Sequence, residues 1–154
     1  MLDELRERIN HKNVLIVGVG NRTRGDHGVG SALVGRLQGR VCVPLIDARD
    51  MPEAQLRPIE ASHPDLVLVV DAAELGANPG QIGLFELDQL RMARVSTHTA
   101  NLGALFRLIP AEVRPQVLLV AIQPGPHDSG TGLSSSVRLS LEGLVGLFAE
   151  LFGE

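Results

Sequence analysis

Three short and almost wholly apolar segments constrain the fold of this chain most strongly. They read NVLIVGV (13–19), DLVLVVDA (65–72) and PQVLLVAI (115–122). Strands with apolar side chains on both faces are typical of parallel sheets that helices cover on both sides. Segments of helical periodicity, such as 28–39 and 134–153, stand between or after them. We therefore predict a three-layer α/β fold, in which a mainly parallel, twisted sheet of about five strands has helices on both faces.

Weaker patterns complete the predicted order of elements. Leu2 to Ile9 predicts a short helix, VCVPLID (41–47) a second strand, and QIGLFEL (81–87) an edge strand. Further helices are predicted over 52–60 and over 100–109, the latter ended by a proline. A chain of 154 residues is most simply a single domain, here 1–154.

Composition and charge argue against several classes of partner. The formal net charge of −4 gives no basic footprint for nucleic acid. No apolar run approaches the roughly 20 residues that span a bilayer, so no membrane partner is expected. The N-terminal segment is charged and amphipathic, unlike a signal peptide, which predicts a cytoplasmic location. The single cysteine, Cys42, excludes an internal disulfide, and its apolar flanks predict a buried strand residue.

Acids and imidazoles follow the predicted strands or precede predicted helices. In open α/β sheets, ligands bind beyond the carboxyl ends of the strands, so these side chains are expected at one edge. Carboxylates and imidazoles together can bind a borderline divalent metal such as nickel or zinc. The residues concerned are Asp26, His27, Asp47, Asp71, His98, His127 and Asp128.

Each of these residues also has a purely structural explanation. Asp26 is predicted to cap the helix that follows it. His27 is equally well explained as an exposed side chain without a role, and Asp71 and His98 as caps of a loop and a helix. The glycine spacing in GVGNRTRG (18–25) is not the dinucleotide fingerprint, and the chain has no P-loop sequence. No nucleotide cofactor site is therefore predicted.

The order of the motifs resembles a known family. The motifs are GVGNRTRGDHGVG, LIDARDMPE, LVLVVDAAELGANPGQIGLFE, STHTANLGALFRLI and AIQP. From residue 13 onward they are similar to the [NiFe] hydrogenase maturation endopeptidases, above all to the branch that processes formate-hydrogenlyase-type hydrogenases. The resemblance implies one maturation protease-like domain.

The resemblance also implies an activity and a site. The implied reaction is nickel-dependent removal of the C-terminal extension from a hydrogenase large-subunit precursor after nickel insertion, with the nickel supplied by that precursor. The implied metal ligands are His27, Asp71 and His98, and Asp47 is implicated in activity. A nucleophilic serine motif is absent from the sequence. We therefore expect a carboxylate, Asp47 or Asp71, or the metal to activate water, as in an aspartyl-type endopeptidase.

Two departures from the family pattern leave an alternative open. His27 stands where the family usually has an acid, and Ala48 and Arg49 replace two glycines after Asp47. Imidazole can replace a carboxylate as a nickel ligand, so binding is compatible with this change. The alternative is a catalytically impaired relative that only binds the precursor or nickel. An unrelated nucleotide-binding module is a second alternative, and the sequence indicates no oligomeric state.

Overall fold

The computed structural model describes residues 1–86, 94–95, 97–126 and 132–153, so His127 and Asp128 lie outside it. The helices are α1 (Leu2–Ile9), α2 (Val29–Leu37), α3 (Leu56–Ala61), α4 (Thr97–Arg107) and α5 (Ser135–Phe152). The strands are β1 (Val14–Val19), β2 (Leu45–Arg49), β3 (Leu66–Glu74), β4 (Ile82–Glu86), β5 (Arg94–Val95) and β6 (Gln116–Ile122). Short 3-10 helices at Gly25–Gly28 and Pro52–Gln55 precede α2 and α3.

The strands form one sheet in the order β2-β1-β3-β6-β4. The first four of these strands are parallel, and β4 pairs antiparallel with β6 at the edge. The two-residue strand β5 adds an antiparallel pairing to the end of β3. The predicted, mainly parallel sheet is confirmed.

Helices cover both faces of the sheet because successive side chains of the central strands point in opposite directions. In β3, Leu66, Leu68 and Val70 join a core with α1, α2 and α5. Val67 and Val69 join a second core with α3 and α4. The three predicted layers are therefore confirmed.

The second strand begins later than predicted. Pro44 has no N–H to donate to a strand ladder, and β2 begins at Leu45. The backbone N–H of Cys42 donates instead to the carbonyl of Phe152, at the end of α5. Cys42 is exposed, so the prediction of a buried strand residue is wrong.

The third strand is longer than predicted, because β6 and β5 extend its pairing. Asp71 pairs with Ala121 of β6, and Ala73 pairs with Val95 of β5. Asp71 thus lies inside β3 rather than at its end. The last pair between β1 and β3 is Gly18 with Val70, so Asp71 lies just beyond the paired part of β1.

Close backbone packing draws the start of α2 onto the sheet. A Cβ atom at Gly30 would lie 2.1 Å from the carbonyl oxygen of Val70 and 2.3 Å from that of Val19. No side chain fits there, so glycine is required for this approach. The turn that carries Asp26 and His27 is therefore held at the carboxyl edge of β1 and β3.

A surface ion pair joins α2 and α5, which pack in the same core on one face of the sheet. The guanidinium of Arg36 in α2 donates two hydrogen bonds to the carboxylate of Glu142 in α5. The bonds lower the pKa of the Glu142 carboxyl and raise the pKa of Arg36. Among the helices of the described residues, none combines the length with the apolar character that a membrane-spanning segment requires.

Candidate functional site

A polar cleft of about 440 Å³ opens where β1 and β2 end. We call it the edge cleft. It lies at the carboxyl edge of the sheet, where ligands of open α/β folds bind. Its lining residues are Gly20, Asn21, Arg22, Thr23, Ser31, Asp47, Arg49 and Asp50.

A bulge at the end of β2 lies between two charged residues that line the edge cleft. Gly18 pairs with Asp47 and Val19 with Arg49, so Ala48 has no partner in the ladder. Ala48 is 3% exposed and packs in the core with α3 and α4, whereas Asp47 and Arg49 are exposed. Asp47 and Arg49 flank this extra residue, and both line the cleft.

Two hydrogen bonds made by the backbone of Arg49 hold the bulge. The carbonyl of Arg49 accepts a hydrogen bond from the N–H of Gly20 at 2.6 Å, and the Asp47 carboxylate accepts one from the N–H of Arg49 at 3.2 Å. Arg49 has φ 54°, in the left-handed region, which costs about 1 kcal/mol relative to glycine. Backbone strain of this kind is common at functional sites.

Asp71 is a buried carboxylate at the same edge of the sheet. Its exposed fraction is 2%, and its Oδ2 accepts a hydrogen bond of 2.7 Å from the hydroxyl of Thr99. Thr99 lies in the first turn of α4, where the helix dipole favours negative charge. A buried carboxylate is stable only where charges or hydrogen bonds replace its water. Here the start of α4 supplies part of that replacement.

The structure describes the two histidines predicted as ligands to different extents. His27 is exposed, in the 3-10 helix that runs into α2. His98 is the second residue of α4, next to Thr99, and its side chain is outside the described part of the chain. Among the described residues, no three His, Cys, Asp or Glu side chains come together as a metal site. The ligand set His27, Asp71 and His98 therefore stays a prediction, as does the role of Asp47.

Asp26 has a role that the sequence did not indicate. Its carboxylate is 5% exposed and accepts hydrogen bonds from the N–H of Gly125 (2.8 Å), the N–H of Ser134 (2.7 Å) and the hydroxyl of Ser134 (2.8 Å). The N-cap residue of α2 is Gly28, so the prediction that Asp26 caps this helix is wrong. Asp26 instead ties the turn after β1 to Gly125, three residues after the end of β6, and to Ser134, the N-cap of α5. We call this contact the Asp26 clamp.

The fold and the site define an α/β protein whose ligand-binding edge carries carboxylates. The chain belongs to the hydrogenase maturation protease family, because the family model "HycI: Hydrogenase maturation protease" matches residues 27–150. The family resemblance seen in the motifs is thereby confirmed, and the chain is a hydrolase of the endopeptidase type.

Individual relatives agree with this assignment. The hydrogenase 3 maturation protease of Escherichia coli K12 is 30% identical over 115 residues, which cover 71% of this chain and 72% of the relative. The crystal structure of the [NiFe] hydrogenase maturation protease HycI from Thermococcus kodakarensis KOD1 matches with a TM-score of 0.84 at 28% identity, over 98% of this chain and 99% of that chain. The solution structure of the endopeptidase HycI from Escherichia coli shares the fold, with a TM-score of 0.75 at 24% identity over 87% of each chain.

Proposed function

We propose that this protein is a nickel-dependent endopeptidase that removes the C-terminal extension of a [NiFe] hydrogenase large-subunit precursor after nickel insertion. The observation that carries the proposal is the buried Asp71 carboxylate at the carboxyl edge of the sheet, in a chain of the maturation protease family. The relatives' names, which refer to hydrogenase 3 and to [NiFe] hydrogenase, support this class of substrate.

In this proposal the nickel belongs to the precursor, and His27, Asp71 and His98 bind it. One carboxylate and two imidazoles are donors that suit nickel. The positions of these residues in the fold support this assignment, because His27 lies in the 3-10 helix before α2, His98 in the first turn of α4 and Asp71 in β3. Three protein ligands leave coordination positions for groups of the precursor. The protein would thus recognise a precursor that already holds its metal.

The two carboxylates differ in ways that suit different roles in hydrolysis. Asp71 is buried and held by Thr99, which suits a ligand of fixed orientation. Asp47 is exposed at the edge cleft, where its carboxylate accepts a long hydrogen bond of 3.2 Å from the N–H of Arg49. Asp47 is therefore accessible to substrate and water, and we assign it the role of proton acceptor.

The proposal is tested by incubating the protein with its large-subunit precursor, prepared with and without nickel. We expect removal of the C-terminal extension from the nickel-loaded precursor and none from the nickel-free form, as measured by mass spectrometry of the products. Equal cleavage of both forms would reject nickel dependence but would still support the endopeptidase activity. Failure to cleave the loaded precursor would reject the proposed activity.

A second candidate function is supported by one observation. His27 is exposed at the position where the family usually has an acid, which favours a relative that binds the precursor or nickel without cutting.

The variant His27→Asp separates the two candidates. If the wild-type protein is an active enzyme, we expect the variant to cleave within about tenfold of the wild-type rate, because both side chains can ligate nickel. An acid just before α2 should also raise the free energy of unfolding by about 0.5 kcal/mol through the helix dipole. The measurements are the cleavage assay and urea unfolding. Cleavage by the variant from an inactive wild-type protein would establish the impaired relative instead.

A further inference from the structure

We propose that Thr99 is a positioning residue that fixes the orientation of the Asp71 carboxylate, an inference that rests on the proposed function. The hydroxyl of Thr99 donates to Asp71 Oδ2 at 2.7 Å, and each residue is 2% exposed. This length is the usual one for a hydroxyl donor and falls within the range of hydrogen bonds to a charged acceptor. The two residues are 28 positions apart, so the bond joins β3 to the first turn of α4.

The sheet fixes the backbone of Asp71 but not its carboxylate. Asp71 pairs with Ala121 of β6, and the strand is held again two residues later, where Ala73 pairs with Val95. The remaining freedom is rotation of the side chain about its own bonds. A hydrogen bond to one carboxylate oxygen removes much of that freedom. Partners of this kind orient the side chains that bind metals.

Thr99 itself is held firmly enough to serve this purpose. One and two turns later in α4, Leu102 and Phe106 are buried in the core formed with β3. Their packing sets the position of the helix relative to the sheet. A threonine side chain in a helix also has few rotamers, because it is branched at Cβ. The hydroxyl therefore reaches Asp71 from a rigid support.

The variants Thr99→Val and Thr99→Ser test this role. Valine keeps the shape of threonine and removes the donor, whereas serine keeps the donor. For nickel-loaded precursor we expect Thr99→Val to lower kcat by about 10- to 100-fold with KM within about twofold. Thr99→Ser should stay within about threefold of the wild-type kcat. Phe148→Leu, in α5 and in the core on the opposite face of the sheet, is the control for lost stability and should leave kcat unchanged.

A second measurement requires neither metal nor precursor. In ¹³C spectra of aspartate-labelled protein, the Asp71 carboxyl signal is assigned by its loss in Asp71→Asn. We expect this signal to shift in Thr99→Val and to keep its wild-type position in Thr99→Ser and Phe148→Leu.

Three results would overturn the inference. Wild-type kcat and an unshifted carboxyl signal in Thr99→Val would show that the hydroxyl does not orient Asp71. Equal losses in Thr99→Ser and Thr99→Val would show that the hydroxyl is not the group that matters. An inactive wild-type protein would reject the proposed function and this role with it, whereas an active wild-type protein with an active Thr99→Val rejects the role of Thr99 alone.

Discussion

Replacing Asp71 by asparagine is expected to lower kcat/KM for the nickel-loaded precursor by at least about a thousandfold, and alanine should do the same. The neutral amide cannot act as an anionic ligand. Asparagine keeps the shape of the buried side chain and an oxygen that accepts the hydrogen bond from Thr99. We therefore expect the free energy of unfolding of Asp71→Asn to stay within about 1 kcal/mol of wild type.

The control for this prediction is Asp65→Asn. Asp65 is an exposed acid just before β3, at the opposite end of the strand from Asp71, and we assign it no role in hydrolysis. Its variant should cleave within about threefold of wild type. The measurements are initial cleavage rates, urea unfolding and a calorimetric nickel titration, in which Asp71→Asn should lose any saturable binding that wild type shows. Cleavage by Asp71→Asn within tenfold of the wild-type rate would remove Asp71 from the site.

Replacing Asp26 by alanine is expected to lower the free energy of unfolding by about 3 kcal/mol. The substitution leaves the N–H groups of Gly125 and Ser134 and the hydroxyl of Ser134 without their acceptor. Hydrogen bonds to a charged group contribute about 1.5–3 kcal/mol each, and they are not additive when they share one acceptor. Gly125 and Ser134 are only partly buried, so we expect the total loss of stability to stay well below the sum of three separate hydrogen bonds.

A variant of one donor and a control variant show how much of this loss of stability comes from the Asp26 clamp. Ser134→Ala removes one donor of the Asp26 clamp and should cost about 1 kcal/mol. Asp65→Asn is the control, because the Asp65 carboxylate also accepts from a backbone N–H, that of Asn13 at 2.7 Å, but on an exposed part of the surface. It should cost less than about 1 kcal/mol. Urea unfolding followed by circular dichroism measures all three, and a loss below 1 kcal/mol in Asp26→Ala would show that water replaces the clamp.

The central strands could be predicted from sequence because burial on both faces leaves a continuous apolar run. Such runs marked β1, β3 and β6 to within two residues at each end. Together with the predicted second strand, they also placed Asp47 and Asp71 at one edge, since parallel strands end on the same side of a sheet. The edge position of β4 was likewise predicted and is confirmed.

Features that depend on a distant partner could not be predicted in this way. The acceptor role of Asp26 depends on donors 99 and 108 residues later in the chain. The bulge at Ala48 arises from the register between β1 and β2, which no local pattern specifies. The two-residue strand β5 is too short to show a period. In each case the missing information is which segments lie side by side.

The Asp26 clamp also bears on the order in which the molecule assembles. The turn after β1 forms from local sequence, but the donors to Asp26 arrive only when β6 and α5 have docked. The carboxyl edge of the sheet is therefore complete only in a chain whose β6 and α5 have docked. A partly folded molecule would then lack the finished site, and peptide bond cleavage would wait for the native state.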